Sequence, residues 1–295
     1  MDKFNALTID KLELCFRGSI ALHNTMEAEE IFDLANFRIF PLKKSLGIVK
    51  YGVELKDSVP DMKYRYFGTI TIRLGDDDEQ EPTTHRYFWL TINNEMLYSV
   101  NTQREIKILI KLLASSLNWE LNNITKFELA YDLDADFTNS VRSYIENTQW
   151  DNIFLGKVFP QDAHIPFLTH ECWGTATTIE LEHMRIKGSD TKFQLYCYDK
   201  AQEITHSGKF YVEEYYERSL PVLWRCELRC YKPQFEEYLN NFNIDWNTLF
   251  ENILFTQEGL DSIMEYLSSR LLRFRRNRNN IKSVYEVIKD FNLAR

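Results

Sequence analysis

Three short segments carry nucleophilic or ionisable side chains at even spacing, which in a β-strand puts them on one face. Lys192 to Glu203, KFQLYCYDKAQE, starts as a strand and ends as a helix start or turn, and Tyr196, Tyr198 and Lys200 alternate with the apolar set Phe193, Leu195 and Cys197. A phenol with a reference pKa of ~10 attacks little at neutral pH unless a cation or metal favours its anion, and Lys200 is a cation on the same face. In Ile124 to Asp136, ITKFELAYDLDAD, Glu128 and Asp132 share a face with Lys126 and Ala130. Like charges on one sheet face repel unless a cation lies between them. In Val222 to Tyr231, VLWRCELRCY, Glu227 is flanked on its face by Arg225 and Arg229, and the other face is Trp224, Cys226, Leu228 and Cys230. Each segment alone also suits an ordinary half-buried strand. Aligned in one sheet, the three supply carboxylates for a hard divalent cation (Glu128, Asp132, Glu227), a phenol nucleophile and cations for a phosphate. Oxygen donors suit Mg2+ or Mn2+ better than zinc.

Other chemistries lack their residues. The six histidines (His23, His85, His164, His170, His183, His206) never form a His-hydrophobic-His pair, and the chain has no Walker A loop, GxGxxG, GxSxG or HExxH. The five cysteines (Cys15, Cys172, Cys197, Cys226, Cys230) form no CxxC, so reduced thiols are expected and a structural zinc is not. The net charge is -9, but it is unevenly spread. Asp76, Asp77, Asp78, Glu79 and Glu81 read as a solvated acidic loop, whereas Arg270, Arg273, Arg275, Arg276, Arg278 and Lys282 form a basic stripe suited to DNA phosphates. No apolar run reaches the ~18 residues a membrane span needs, and the N-terminus has no signal pattern. The expectation is a cytoplasmic protein without a membrane partner.

The elements that must position these residues follow from periodicity. Strands are expected over 5–16, 47–56, 64–74, 86–92, 124–136, 177–185, 192–198 and 222–231, with the 64–74 and 86–92 pair forming an antiparallel hairpin. Helices are expected over 26–36, 101–117 (with a Thr102/Glu105 capping box), 138–149, 210–218, 235–242, 246–255, 260–272 and 281–291. Residues 150–180 read as a loop-rich connection. The fold class is α+β: a central, mainly antiparallel sheet with helices on one face and a C-terminal helical extension. A soft boundary near residue 240 divides a catalytic domain, 1–240, from a basic helical segment, 241–295.

The order of these motifs resembles the rolling-circle replication initiators, both the replication initiation factor family of small plasmids (Rep_trans type) and the filamentous-phage gene II nickases. The RIDxxxD-like strand reads Lys126-Phe127-Glu128-Leu129-Ala130-Tyr131-Asp132, the YxKxxE strand Tyr198-Asp199-Lys200-Ala201-Gln202-Glu203, and the RxE strand Arg225-Cys226-Glu227. The resemblance covers roughly residues 120 to 255. Lys126 and Glu128 stand where arginine and aspartate are usual, and Gly188-Ser189 corresponds to a glycine-serine element of the plasmid relatives. The resemblance implies a metal-dependent nicking-closing endonuclease. Tyr198, with Tyr196 as second candidate, attacks a phosphate at the origin, keeps the 5'-phosphate and leaves a 3'-OH primer. It implies a bacterial host cell and, as partners, origin DNA (a single-stranded nick site and flanking duplex), host helicase and polymerase, and a second copy in a homodimer. A mobilisation relaxase of the same fold and a non-catalytic sequence-specific DNA-binding protein are the alternatives.

Overall fold

A computed structural model describes residues 5–18, 31–45, 47–56, 64–73, 86–99, 103–159, 168–173, 176–184, 192–217 and 219–294. The chain is α+β, with a large antiparallel sheet and a C-terminal helix. It divides into two compact units: a smaller one, Asp10–Phe127 with Asp245–Glu251, and a larger one, Met1–Ile9, Glu128–Ile244 and Asn252–Arg295.

The smaller unit is built on β1 (Leu7–Gly18), β2 (Phe32–Asp33), β3 (Phe37–Ser45), β4 (Ile48–Lys56), β5 (Tyr64–Arg73), β6 (Arg86–Ile92), helices α1 (Asn94–Ser99) and α2 (Gln103–Ser116), and the start of β7 (Trp119–Leu133). Its strands run in the order β7-β1-β6-β5-β4-β3-β2. The expected 64–74 and 86–92 hairpin is the β5–β6 pair, with Ile70 opposite Leu90. Leu12, Leu14, Phe67, Ile70, Phe88 and Leu90 are buried, as are Ile106, Ile110 and Leu113 of α2. The expected helix over 26–36 falls partly outside the described residues; within them Phe32–Asp33 is a strand, because Phe32 pairs with Ile39 of β3. Thr102 and the acidic run at 76–81 also lie outside the described residues. Lys107 and Lys111 both reach Glu251, at 2.9 Å, tying the 245–251 segment to α2.

The larger unit continues with α3 (Thr138–Glu146), β8 (Asp151–Phe154), β9 (Lys157–Phe159), β10 (Leu168–Trp173), β11 (Ala176–Met184), β12 (Lys192–Asp199), α4 (Lys200–Ser207), α5 (Tyr211–Tyr216), β13 (Trp224–Tyr231) and α6 (Lys232–Phe242). After α7 (Trp246–Thr248) and a π-turn (Leu249–Ile253) come α8 (Gln257–Leu271), β14 (Leu272–Asn277), β15 (Asn280–Ser283) and α9 (Val284–Leu293). Its main sheet has the order β10-β11-β12-β13-β7, and a second sheet is β15-β14-β8-β9. The region 150–180 therefore holds strands where a loop-rich connection is expected. β8 and β9 are short, and the pairing of β8 with β14 on one side and β9 on the other supplies what their own pattern does not. Helix α8 packs on β12 and α6 on β13. Leu260, Ile263, Met264, Leu267 and Leu271 of α8 are fully buried, a stripe at helical period. At its start a side chain on Gly259 would meet the Ile253 carbonyl at 2.1 Å, so only glycine allows the π-turn to approach.

Candidate active site on β7, β12 and β13

The alternation predicted for β12 holds as far as Asp199. Phe193, Leu195 and Cys197 are buried, while Tyr196 and Tyr198 are half-buried on the opposite face. The strand then stops because Asp199 caps a helix, its carboxylate accepting the Gln202 N–H at 2.9 Å. Gly208, in the left-handed region at φ 71°, ends that helix. Lys200 is thus the first residue of α4 rather than a strand residue. It is 2% exposed, its ammonium lies 2.5 Å from Glu203, and it sits over the Tyr198 ring, 5.8 Å from the centroid. Burial favours a neutral Glu203, but Lys200 and Lys209 outweigh it and hold this carboxyl down at about 2.

The Tyr198 hydroxyl donates to Glu227 on the neighbouring strand at 2.9 Å. In the β12–β13 register Tyr196 lies opposite Glu227, and Tyr198 opposite Arg225. Glu227 and Glu128 are each 5% exposed. Arg229 serves both: its Nε lies 2.7 Å from Glu128, a charge contact without hydrogen-bond alignment, and its NH2 lies 3.4 Å from Glu227. The same guanidinium covers the Tyr196 ring at 5.1 Å and reaches its hydroxyl at 3.5 Å. Burial opposes the charge on Arg229, but Glu128 and Glu227 prevail and raise its pKa above the usual value. Glu128, Glu227, Tyr196, Tyr198 and Arg229 therefore converge, as the shared strand faces predict.

Asp132 and Arg225 form a separate, sealed group. Arg225 is 0% exposed and binds Asp132 with two parallel hydrogen bonds, of 2.7 and 2.6 Å, and Tyr216 donates to the same carboxylate at 2.8 Å. Burial and the Asp132 charge push the Tyr216 phenol well above its usual pKa, so it remains a donor. Two expectations change here. Asp132 leaves the metal set because the fully buried Arg225 holds both its oxygens in a sealed bidentate pair, and Arg225 leaves the cations expected to meet a phosphate because no phosphate reaches a fully buried guanidinium.

Sequence reasoning passed over Asp10. It is 7% exposed in β1, directly after Ile9, and accepts the Tyr98 hydroxyl at 2.5 Å. Asp10 belongs to the smaller unit; in the larger, Glu128 and Glu227 are two buried carboxylates able to hold a metal ion, one oxygen of each lying within 4.8 Å of the other. The signal was present: in LTIDKLEL, Asp10 stands among the buried residues Leu7, Thr8, Ile9 and Leu12, and a carboxylate is rarely buried without a partner. The donor set fits a hard divalent cation. The thiols of Cys197 and Cys226 face each other across β12 and β13; burial, and then their mutual contact, pushes the Cys226 thiol well up, so it stays protonated.

The basic run does not lie on a helix. Arg270 lies in the last turn of α8, Arg273, Arg275 and Arg276 belong to β14, Arg278 to a turn, and Lys282 to β15. Arg270 pairs with Glu237 at 2.5 Å, Arg275 with Asp151 at 2.9 Å, and Lys282 with Asp290. No helix among the described residues is long and apolar enough to cross a membrane. Compared with protein-family models, with curated proteins and with solved structures, the chain matches none.

Proposed function

We propose that the chain is a rolling-circle replication initiator, a cytoplasmic endonuclease that nicks one DNA strand at an origin through a 5'-phosphotyrosine. The observation that carries this reading is the 2.9 Å hydrogen bond from the Tyr198 hydroxyl to Glu227, a nucleophile beside a carboxylate base. Tyr198 attacks the scissile phosphorus, its proton passes to Glu227, and the bond from phosphorus to the 3'-oxygen breaks. The 5'-phosphate stays on Tyr198, and the departing 3'-oxygen takes a proton to become the primer hydroxyl. Proton transfer from a phenol (pKa ~10) to a carboxylate (~4) is uphill before attack, so it completes only as the new P–O bond removes charge from the phenol oxygen. Arg229 steadies Glu227 and holds Tyr196 by its ring, which leaves Tyr198 as the nucleophile. Glu128 and Glu227 are the residues that would hold Mg2+ or Mn2+. Such an ion would polarise the phosphoryl oxygens.

The test is nicking of supercoiled DNA that carries the encoding replicon's origin, with Mg2+ or Mn2+ present. Glu227→Gln should slow nicking by about 10²–10⁴-fold and make the remaining rate climb with pH, as hydroxide replaces the lost base. Nicking at the wild-type rate by Glu227→Gln removes the assigned base. A second reading has its own support: Arg229 already balances Glu128 and Glu227, as in a DNA-binding protein whose carboxylates are structural. That reading predicts salt-dependent DNA binding and no cleavage with either metal.

A further inference from the structure

The basic run separates into two kinds of side chain. Arg270, Arg275 and Lys282 are held in ion pairs with Glu237, Asp151 and Asp290. Arg273, Arg276 and Arg278 have no ion pair among the described residues, and Arg276 and Arg278 are exposed. The cause is the hairpin. β14 and β15 pair with Asn277 opposite Asn280, and the Asn277 side chain accepts the Asn279 N–H at 3.0 Å, which closes a turn over Arg278 and Asn279. The hairpin base is fixed. Leu272 and Phe274 are fully buried, Phe274 meets the Tyr144 ring at 5.3 Å, β8 pairs along β14, and Ser283 caps α9 in a capping box with Glu286. A rigid two-stranded stem therefore presents a tip of sequence Arg276-Asn277-Arg278-Asn279, in a chain whose net charge is -9.

We infer that this hairpin tip is a duplex-DNA contact, with Arg276 and Arg278 on phosphates or in a groove and Arg273 supporting from the stem. The inference rests on the nickase reading only in taking origin DNA as the partner. A two-stranded ribbon fits the ~12 Å major groove, and arginine and asparagine are the side chains that bond guanine and adenine edges there. The stem, not a helix, is the recognition element. The ion-paired Arg270, Arg275 and Lys282 contribute to the fold instead.

The test measures binding of a fluorescein-labelled, mixed-sequence DNA duplex to the full chain by anisotropy over a salt series. Each phosphate contact contributes about 0.9 to the slope of log K against log salt, so the double variant R276Q/R278Q should lower the slope by about 1.8. Arg270→Gln, which removes an ion-paired charge, should leave the slope unchanged. A wild-type slope in R276Q/R278Q, or an equal loss in Arg270→Gln, overturns the inference. Formation of a covalent adduct on a single-stranded oligonucleotide, measured in parallel, keeps the two readings apart. An adduct with an unchanged slope in the double variant sinks the hairpin alone, and a reduced slope without any adduct supports the hairpin while removing the nickase.

Discussion

Two arginine–carboxylate groups lie on the same pair of strands, β7 and β13, four residues apart along each. Asp132 and Arg225 are sealed: the guanidinium has no exposure, its bonds are paired and parallel, and Tyr216 completes the carboxylate's shell. Glu128 and Arg229 are looser. The Arg229 side chain is 29% exposed and is shared among two carboxylates and a tyrosine. Residue types alone do not separate these groups; the degree of desolvation and the number of claimants on each cation do. A fully satisfied buried pair holds the fold and has nothing left to offer a substrate. A shared, partly open cation beside a hydrogen-bonded phenol has chemistry to spare.

The comparison breaks most easily at its sealed half. Arg225→Leu leaves the Asp132 carboxylate buried without its cation and should cost about 3–5 kcal/mol in urea unfolding. Replacing both partners with apolar residues should recover much of that loss, since the cost of desolvating the pair disappears with it. Arg229→Gln should cost less, about 1–3 kcal/mol, because water reaches part of its site. If the two arginine variants unfold at the same urea concentration, the groups do not differ as described.

Acid sharpens the picture. Glu203 is held down at about 2 in the folded chain, below an ordinary carboxylate, so its contribution to stability is complete above the ordinary value of ~4.3 and is lost as pH falls from there through 2. Glu203→Gln should flatten the stability curve over that window, and an unchanged slope would show that Lys200 does not depend on it. The smallest effect belongs to Tyr198→Phe. Losing one half-buried hydrogen bond should change stability by only about 1 kcal/mol, measured by thermal melting, even though the variant loses the proposed nucleophile.

Much of the site was legible because strand parity is a local property. The alternations in β7, β12 and β13 place Glu128, Tyr196, Tyr198, Glu227 and Arg229 on the faces where they meet. Parity carried too far at Lys200, since the Asp199 cap ends the strand one residue earlier. It could not distinguish Asp132 from Glu128 either, because that difference comes from Tyr216, a helix residue distant in sequence whose position no local pattern specifies. The β14–β15 hairpin escaped for a related reason. RFRRNRNN has few apolar residues, and its strand character comes from pairing with β8, more than a hundred residues earlier. β3 was hidden as well, with Pro41 inside it, a residue that argues against a paired strand unless a bulge accommodates it, as it does here between Pro41 and Lys43.

In the proposed reaction Tyr198 carries the DNA. The most direct measurement traps the adduct on a single-stranded oligonucleotide bearing the nick site, with Mn2+ present, and maps the linked residue by mass spectrometry of the proteolysed complex. A 5'-phosphate on the Tyr198 peptide is expected, lost in Tyr198→Phe and retained in Tyr196→Phe. Linkage to Tyr196, or an adduct that persists in Tyr198→Phe, would contradict it.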